Sequence, residues 1–305
     1  MNTKSKVIAI VGPTASGKTS LSIALAQKFN GEVISADSRQ VYRGMDLGTG
    51  KVTKGEMAGV PHHLLDIAEP MEVYTGADFA RDAAAATEEI LSRGRCPIIA
   101  GGTFFYLDLL RGKLQSAPVE PDEAFRERLQ ALSNATLLEM LYEKDPARAA
   151  TIDQQNRRRL LRALEIVKTL GTVPPTTITE SPYDWLILGI NISKEQLHEN
   201  IRVRLHERLE AGMIEEAEKL HANGVTYQRM NDLGLEYRYI AKYLQNQLSR
   251  DEMIEQLEIK IRQFAKRQMT WLKRDQDIEW HAPEDRFTIL RRVEKFLHDS
   301  DRTAS

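Results

Sequence analysis

The stretch Val7-Ile8-Ala9-Ile10-Val11-Gly12-Pro13-Thr14-Ala15-Ser16-Gly17-Lys18-Thr19 decides the fold. Val7 to Val11 is an unbroken apolar run, the pattern of a strand buried on both faces of a parallel sheet. Gly12 to Thr19 fits G-x-x-x-x-G-K-[ST], and a helix begins near Lys18 and runs through LSIALAQKF. The glycines let the backbone wrap so that its N–H groups point at phosphate oxygens. The following helix adds its positive end, Lys18 adds a full charge, and the Thr19 hydroxyl is a ligand for Mg²⁺. An ordinary glycine-rich turn is the plain alternative. The strand before and the helix after favour a phosphate-binding loop.

Working outward, Glu32 to Ala36 reads as a second short strand that ends in Asp37. Ala77 to Arg93 reads as an alanine-rich helix closed by Gly94, and Pro97 to Ala100 as a third strand running into Gly101, Gly102 and Thr103. This is α/β order, which predicts a parallel sheet with ligands outside the carboxyl ends of its strands. Proline-rich stretches from Ser116 to Pro121 and from Gly171 to Pro182 bracket a block of helical patterns with no strong strand. That block, 118–182, is expected to be a helical domain inserted into a core made of 1–117 and 183–305. Trp185 to Ile190 returns to strand character. Ser193 with Gln196, and Ser249 with Glu252, predict capping boxes, and Asp277 to His281 is the last strand.

The 305 residues are 42% hydrophobic and 28% charged, a soluble globular composition, and the formal net charge of −2 does not itself point to a polyanion. A nucleic-acid surface would have to come from local clusters of Lys and Arg. Cys96 is the single cysteine, which excludes an internal disulfide and a cysteine-rich zinc site. The apolar run before Gly12 is too short for a signal peptide or membrane helix, so a cytoplasmic protein is expected.

The phosphate-loop pattern leaves small-molecule kinase, nucleotide triphosphatase and transferase open. A triphosphatase normally ends an apolar strand in a carboxylate that holds Mg²⁺. Here the third strand ends in Gly-Gly-Thr, and Leu64-Leu65-Asp66 is a weak substitute. Asp37, at the end of the neighbouring strand, would face the loop's ligand as a general base or as an outer Mg²⁺ partner, or would simply form the turn. Two basic regions stand out. Arg157, Arg158, Arg159 and Arg162 open a helix whose apolar face is Leu160, Leu161, Leu164 and Val167; Arg158 and Arg162 are expected together on the opposite face. In the helix from about Arg250 to Lys273, Ile254, Leu257, Ile261, Phe264 and Leu272 form the expected buried stripe. Arg262, Lys266 and Lys273 flank it in one row, and Lys260, Arg267 and Arg274 in another. Each is a solvated face taken alone, and the two together fit an RNA backbone. Adjacent His62 and His63 have poor metal spacing and read as structural. Trp271 and Trp280 read as core or edge packing.

From Val7 to about Trp280 the chain resembles the tRNA dimethylallyltransferases, also called tRNA isopentenyltransferases. The motifs that carry the resemblance occur in family order: GPTASGKT, ISADSRQVYRGMDLGTGK, PHHLLDI, ADFARDA, IIAGGTFFY, NRRRLLRALEI, IRVRLHERLEAG, LGLEYR and AKRQMTWLKR. It departs at Gly234-Leu235-Glu236-Tyr237, where many members carry Gly-Tyr followed by Lys or Arg, and at Gln154, where many carry Pro. The resemblance implies a P-loop NTPase-like core with a helical insertion. It implies that Gly12, Pro13, Thr14, Ala15, Ser16, Gly17, Lys18 and Thr19 bind the diphosphate of dimethylallyl diphosphate, with Mg²⁺ at Thr19. Asp37 matches a general base acting on adenine N6, Thr103 a residue at the reaction centre, and Arg204 an arginine on the diphosphate. The partner it implies is a tRNA anticodon stem-loop, met by a monomer. Its contacts would be Asp37, Ser38, Arg39, Gln40 and Thr103, then Arg126, and then Arg158, Arg159, Leu160, Leu161 and Arg162. Further contacts would be Asn231, Asp232, Leu233, Gly234, Leu235 and Glu236. The last segment would be Lys266, Arg267, Gln268, Met269, Thr270, Trp271, Leu272 and Lys273.

Overall fold

The first half of the chain alternates strand and helix in the order the apolar runs dictate. A computed structural model describes residues 4–175 and 177–299. β1 (Ser5–Val11), α1 (Lys18–Lys28), β2 (Gly31–Ser35), α2 (Lys54–Met57), β3 (His62–His63), α3 (Gly76–Ser92), β4 (Cys96–Gly101) and α4 (Phe104–Leu110) come first. Then follow α5 (Glu123–Leu129), α6 (Asn134–Lys144), α7 (Pro146–Thr151) and α8 (Arg157–Leu170). The chain returns with β5 (Tyr183–Ile190), α9 (Lys194–Glu210), α10 (Met213–Ala222), α11 (Tyr227–Leu233) and α12 (Leu235–Leu244). It ends with α13 (Arg250–Leu272), β6 (Ile278–His281) and α14 (Arg286–His298).

The six strands form one sheet in the order β3-β2-β4-β1-β5-β6, and every pairing is parallel. β1 is central, which is why its residues from Val7 to Val11 are almost wholly buried. The sheet is longer by one strand than the sequence suggests: β3 is a two-residue edge, too short to carry an alternation signal. Its His63 bonds the buried carboxylate of Glu32 at 2.6 Å, and Arg93 and Arg95 bond the same group. Burial would raise the Glu32 pKa, and the His63 and Arg93 bonds overcome it, so the carboxyl lies below its ordinary value. His63 is thus part of a structural ion cluster at the sheet edge.

The chain divides into two compact units, 4–111 with 180–299, and 112–179. The break falls a few residues outside the proline-rich stretches at its first end and inside them at its second. The smaller unit has its own core of Leu129, Leu137, Leu141, Leu160 and Leu164. Within it Glu165 is buried, and Arg126 and Arg162 neutralise it at 2.7 and 3.2 Å while the Asp122 amide donates to it. Arg162 also donates to the carbonyls of Ala117 and Val119. Arg162 thus does not stand exposed beside Arg158; α8 keeps Arg158 and Arg159 exposed and turns Arg162 into a tie within the unit. Leu160 is fully buried, so its side chain packs the unit and meets no ligand.

Stability measurements separate these arginines. Arg162→Glu places a second carboxylate against Glu165 and should destabilise the chain by roughly 3 kcal/mol or more, the usual cost of uncompensated buried charge. Arg159→Glu, on the exposed face, should stay within about 0.5 kcal/mol of wild type. Urea titration of both full-length variants checks this; equal losses would contradict the structural role of Arg162.

Candidate active site

The loop between β1 and α1 bends through residues in left-handed backbone conformations. Gly17 has φ 91° and Ala15 φ 62°. For Ala15, which carries a Cβ, that conformation costs about 1–2 kcal/mol and has to be held by its surroundings. Two side-chain amides hold it. Gln268 of α13 accepts from the Thr14 N–H at 2.8 Å, and Asn200 of α9 donates to the Ala15 carbonyl at 3.0 Å. Gln196 in turn donates to the Asn200 side-chain oxygen at 2.9 Å. Hence the expected Ser193–Gln196 capping box is only half formed: Ser193 caps the Gln196 amide, while the Gln196 side chain is turned along the helix to Asn200. The Ser249–Glu252 box is complete.

Lys18 opens α1, whose N-cap Gly17 makes no side-chain cap. Its ammonium donates to the Pro13 carbonyl at 2.6 Å. Burial, and then the charge of Arg204, lower its pKa to about 7, with Asp37 opposing. Arg204 is exposed by area, yet protein atoms crowd its guanidinium; that desolvation and the charge of Arg208 lower its pKa too. Asn200, Arg204 and Arg208 are spaced by four residues along α9 and so share one face.

A second loop, Asp46 to Gly50, meets that face. A Cβ on Gly50 would lie 2.9 Å from an Arg204 nitrogen, and Arg208 donates to the Leu47 carbonyl at 3.2 Å. The loop is fixed from the other side by Glu216. Its carboxylate accepts the amides of Asp46, Leu47 and Gly48 at 2.8–2.9 Å and the hydroxyl of Tyr237 at 2.7 Å. Lys51 pairs with Asp46 and Asp66 at 2.6 and 2.5 Å. That commits Asp66 to a lysine and removes it as a metal-holding carboxylate. Glu236, where the chain departs from the family pattern, pairs with Arg208 at 3.3 Å.

Across the sheet tip, Asp37 follows β2. One carboxylate oxygen accepts the amides of Arg39 at 2.8 Å and Gln40 at 3.4 Å, so the turn role is real. Among the described residues the other oxygen has no hydrogen-bond partner. Thr103 is tied to the same turn: its amide donates to the Ala36 carbonyl, and its hydroxyl accepts the Ser38 amide, both at 3.2 Å. The two strand ends come this close because β4 finishes in glycine; a Cβ on Gly101 would lie 2.1 Å from the Ala36 oxygen. The structure therefore places the Gly12–Thr19 loop, Asp37, Thr103 and Arg204 at one end of the sheet. Hollows of ≈ 600 Å³ beside Arg43 and Lys219 and ≈ 1310 Å³ beside Lys4 and Trp185 are lined by none of Lys18, Asp37, Thr103 or Arg204.

The residues expected on RNA separate into two groups. Lys266, Arg267, Thr270 and Lys273 are exposed along α13, and Met269 is half-buried. Trp271 is 38% exposed rather than core, with Arg274 over its ring, and Arg267 lies over Phe264. Phe264 leaves the expected buried stripe, where Ala265 and Gln268 stand instead. Asn231, Asp232, Gly234 and Leu235 are half-buried. Leu233, Leu272 and Gln268 are buried, so their side chains hold their segments in place and do not face RNA. Sequence reasoning missed Asn200, Arg208, Glu216 and Tyr237. Only the four-residue spacing Asn200, Arg204, Arg208 could have drawn attention to the first two.

Among the described residues no group of three His, Cys, Asp or Glu side chains could hold a metal ion, and no helix is long and apolar enough to cross a membrane.

Known proteins are similar to this chain in sequence and fold. The family model described as IPP transferase matches residues 40–275. A tRNA dimethylallyltransferase of Halalkalibacterium halodurans is 40% identical over 92% of this chain and 92% of its own length. The crystal structure of the full-length tRNA isopentenylpyrophosphate transferase from Bacillus halodurans is 36% identical, with a TM-score of 0.74 over 97% of this chain and 98% of that one. A eukaryotic dimethylallyltransferase, captured acting on tRNA, is 27% identical with a TM-score of 0.83, over 99% of this chain and 81% of that one. With the family model matched over residues 40–275 and a relative 40% identical over 92% of both chains, this chain belongs to the IPP transferase family.

Proposed function

We propose that this chain transfers the dimethylallyl group of dimethylallyl diphosphate to the N6 amino group of adenine 37, beside the anticodon of tRNA. The observation that carries the reading is the pairing of opposite chemistries at one sheet end. Lys18 and Arg204 crowd two cations beside the loop after β1, and Asp37 and Thr103 stand at the tips of β2 and β4. Adenine N6 is a poor nucleophile because its lone pair is delocalised into the ring. A carboxylate that takes its proton as the N–C bond forms answers that difficulty, and the unpartnered oxygen of Asp37 is suited to the task. As the allylic C–O bond breaks, charge grows on the diphosphate, which Lys18, Arg204 and the backbone amides of the loop stabilise. The Thr19 hydroxyl, exposed in the first turn of α1, fits Mg²⁺, which keeps several waters and takes its other ligands from a diphosphate. Mg²⁺ held there would neutralise part of the leaving group's charge. Against a kinase, Asp66 is committed to Lys51 and β4 ends in Gly101 without a carboxylate.

For RNA we assign the exposed Arg158 and Arg159 of the helical unit and Lys266, Arg267 and Lys273 of α13. The Arg267–Phe264 and Arg274–Trp271 pairs offer flat faces on which unpaired bases stack.

Incubation with unmodified tRNA, dimethylallyl diphosphate and Mg²⁺ should add one prenyl group to adenosine, read by nucleoside mass; no adduct would sink the reading. Asp37→Asn keeps an acceptor oxygen for the turn but not the basicity. It should fold normally, bind both substrates, and lose roughly 10²–10⁴ in single-turnover rate. An undiminished rate would remove Asp37 from the mechanism.

Lys18 supplies a separate test. Its pKa near 7 leaves it mostly neutral at roughly pH 8, and a bound diphosphate favours the charged form, so binding should take up a proton. The uptake should fade as pH drops below that pKa. Calorimetry of a non-reactive alkyl diphosphate in buffers of different ionisation enthalpy measures it. Binding without uptake, or with release, would contradict the assignment.

A further inference from the structure

We infer that Gln268 is a positioning residue, a buried amide bridge that shapes the diphosphate loop and fixes its spacing from Thr103. The inference rests on the reading of that loop as the diphosphate site. Gln268 is 6% exposed. Its carbonyl oxygen accepts the Thr14 N–H at 2.8 Å, and its amide nitrogen donates to the Gly102 carbonyl at 3.0 Å. Both ends of the side chain are therefore used inside the protein, and none is left to meet RNA. The two bonds join the loop after β1 to the turn after β4, the turn that carries Thr103. The approach is close: a Cβ on Gly102 would lie 2.5 Å from the Gln268 nitrogen.

What Gln268 holds is a backbone that does not hold itself. Ala15, the residue after Thr14, sits at φ 62°, a conformation an L-alanine leaves when unsupported. Gln268 pins the peptide unit before it and Asn200 pins the carbonyl after it. Gln196 fixes which end of the Asn200 amide faces the loop. With the Thr14 N–H taken by Gln268, the cup for phosphate oxygens starts at the amides beyond it, from Ala15 onward. Gln268 also lies between Arg267 and Met269 on α13, whose outer face carries the exposed cations assigned to RNA. One side of the helix thus presents charge to a polyanion, and the other side sets the leaving-group cradle.

Gln268→Met keeps length and bulk but removes both bonds. Its test compares three quantities in the full chain: the dissociation constant for inorganic diphosphate, the dissociation constant for a tRNA anticodon stem-loop, and the single-turnover transfer rate. Diphosphate binding should weaken roughly tenfold, the worth of one lost buried hydrogen bond to the loop, and the transfer rate should fall at least as much. Stem-loop binding should stay within about twofold, because no RNA contact is lost. Adding Ala15→Gly, which removes the cost of the left-handed turn, should restore part of the diphosphate affinity; a role in packing alone would not respond to it. If Gln268→Met folds poorly, Gln268→Glu keeps the shape and the acceptor, loses the donor to Gly102, and should weaken diphosphate binding at least as much. Unchanged diphosphate affinity in a folded variant, or a loss confined to stem-loop binding, would overturn the inference. A wild-type chain that fails to bind diphosphate would instead overturn the reading of the loop itself.

Discussion

Lys18, crowded by burial and by the charge of Arg204, stands at the tip of a parallel sheet, and the rest of the site is arranged around it. Lys18 opens α1 directly after the Gly12–Gly17 turn, and burial first, then the charge of Arg204, lower its pKa. Among the described residues no carboxylate forms an ion pair with Lys18; Asp37 acts on it through its charge. An arrangement of this kind gains most from a ligand that brings several negative oxygens at once. In the proposed transfer a diphosphate would do so, and as a leaving group it would gather more charge as the reaction proceeds. The same interaction that binds it therefore strengthens toward the transition state.

Holding the cations in place requires contacts far apart in sequence. Arg204 is one of three residues on a single face of α9. The residue a turn before it grips the loop, and the residue a turn after it grips Leu47 and Glu236. The Asp46–Gly50 loop would drift without a partner for its amides, and Glu216 supplies one carboxylate for three of them. That half-buried carboxylate also accepts the hydroxyl of Tyr237, so its oxygens are well satisfied. On the far side, glycines at the end of β4 let Thr103 reach the turn that carries Asp37. Asp37, Thr103 and the Gly12–Thr19 loop are thus set by backbone geometry at three adjacent strand ends.

What the sequence makes legible is local. Val7 to Thr19 shows strand, loop and helix because each is written in consecutive residues; Asp37 follows from its place at the end of a strand, and Thr103 from the family motif IIAGGTFFY. Gln268 shows the limit. Its neighbours are basic and exposed, its own partner Thr14 is 254 residues away, and nothing in the KRQMTWLKR pattern marks it as buried. Arg162 misleads in the same manner, since helical spacing puts it beside Arg158 but does not reveal the buried Glu165 that claims it. Gln196 fits a capping box by spacing, and Asn200, four residues on, takes its side chain instead. In each instance a pairing between distant or competing groups outweighs the local rule.

The account stands on the claim that the crowded cations are built for a diphosphate joined to a small allyl group rather than for a nucleoside triphosphate. Thermal unfolding of the chain with each ligand, at equal concentration and with Mg²⁺ present, tests it most directly, since a ligand that binds only the native state raises the melting temperature according to its affinity. The account predicts a larger rise with dimethylallyl diphosphate than with ATP. A larger rise with ATP, accompanied by release of ADP, would contradict it.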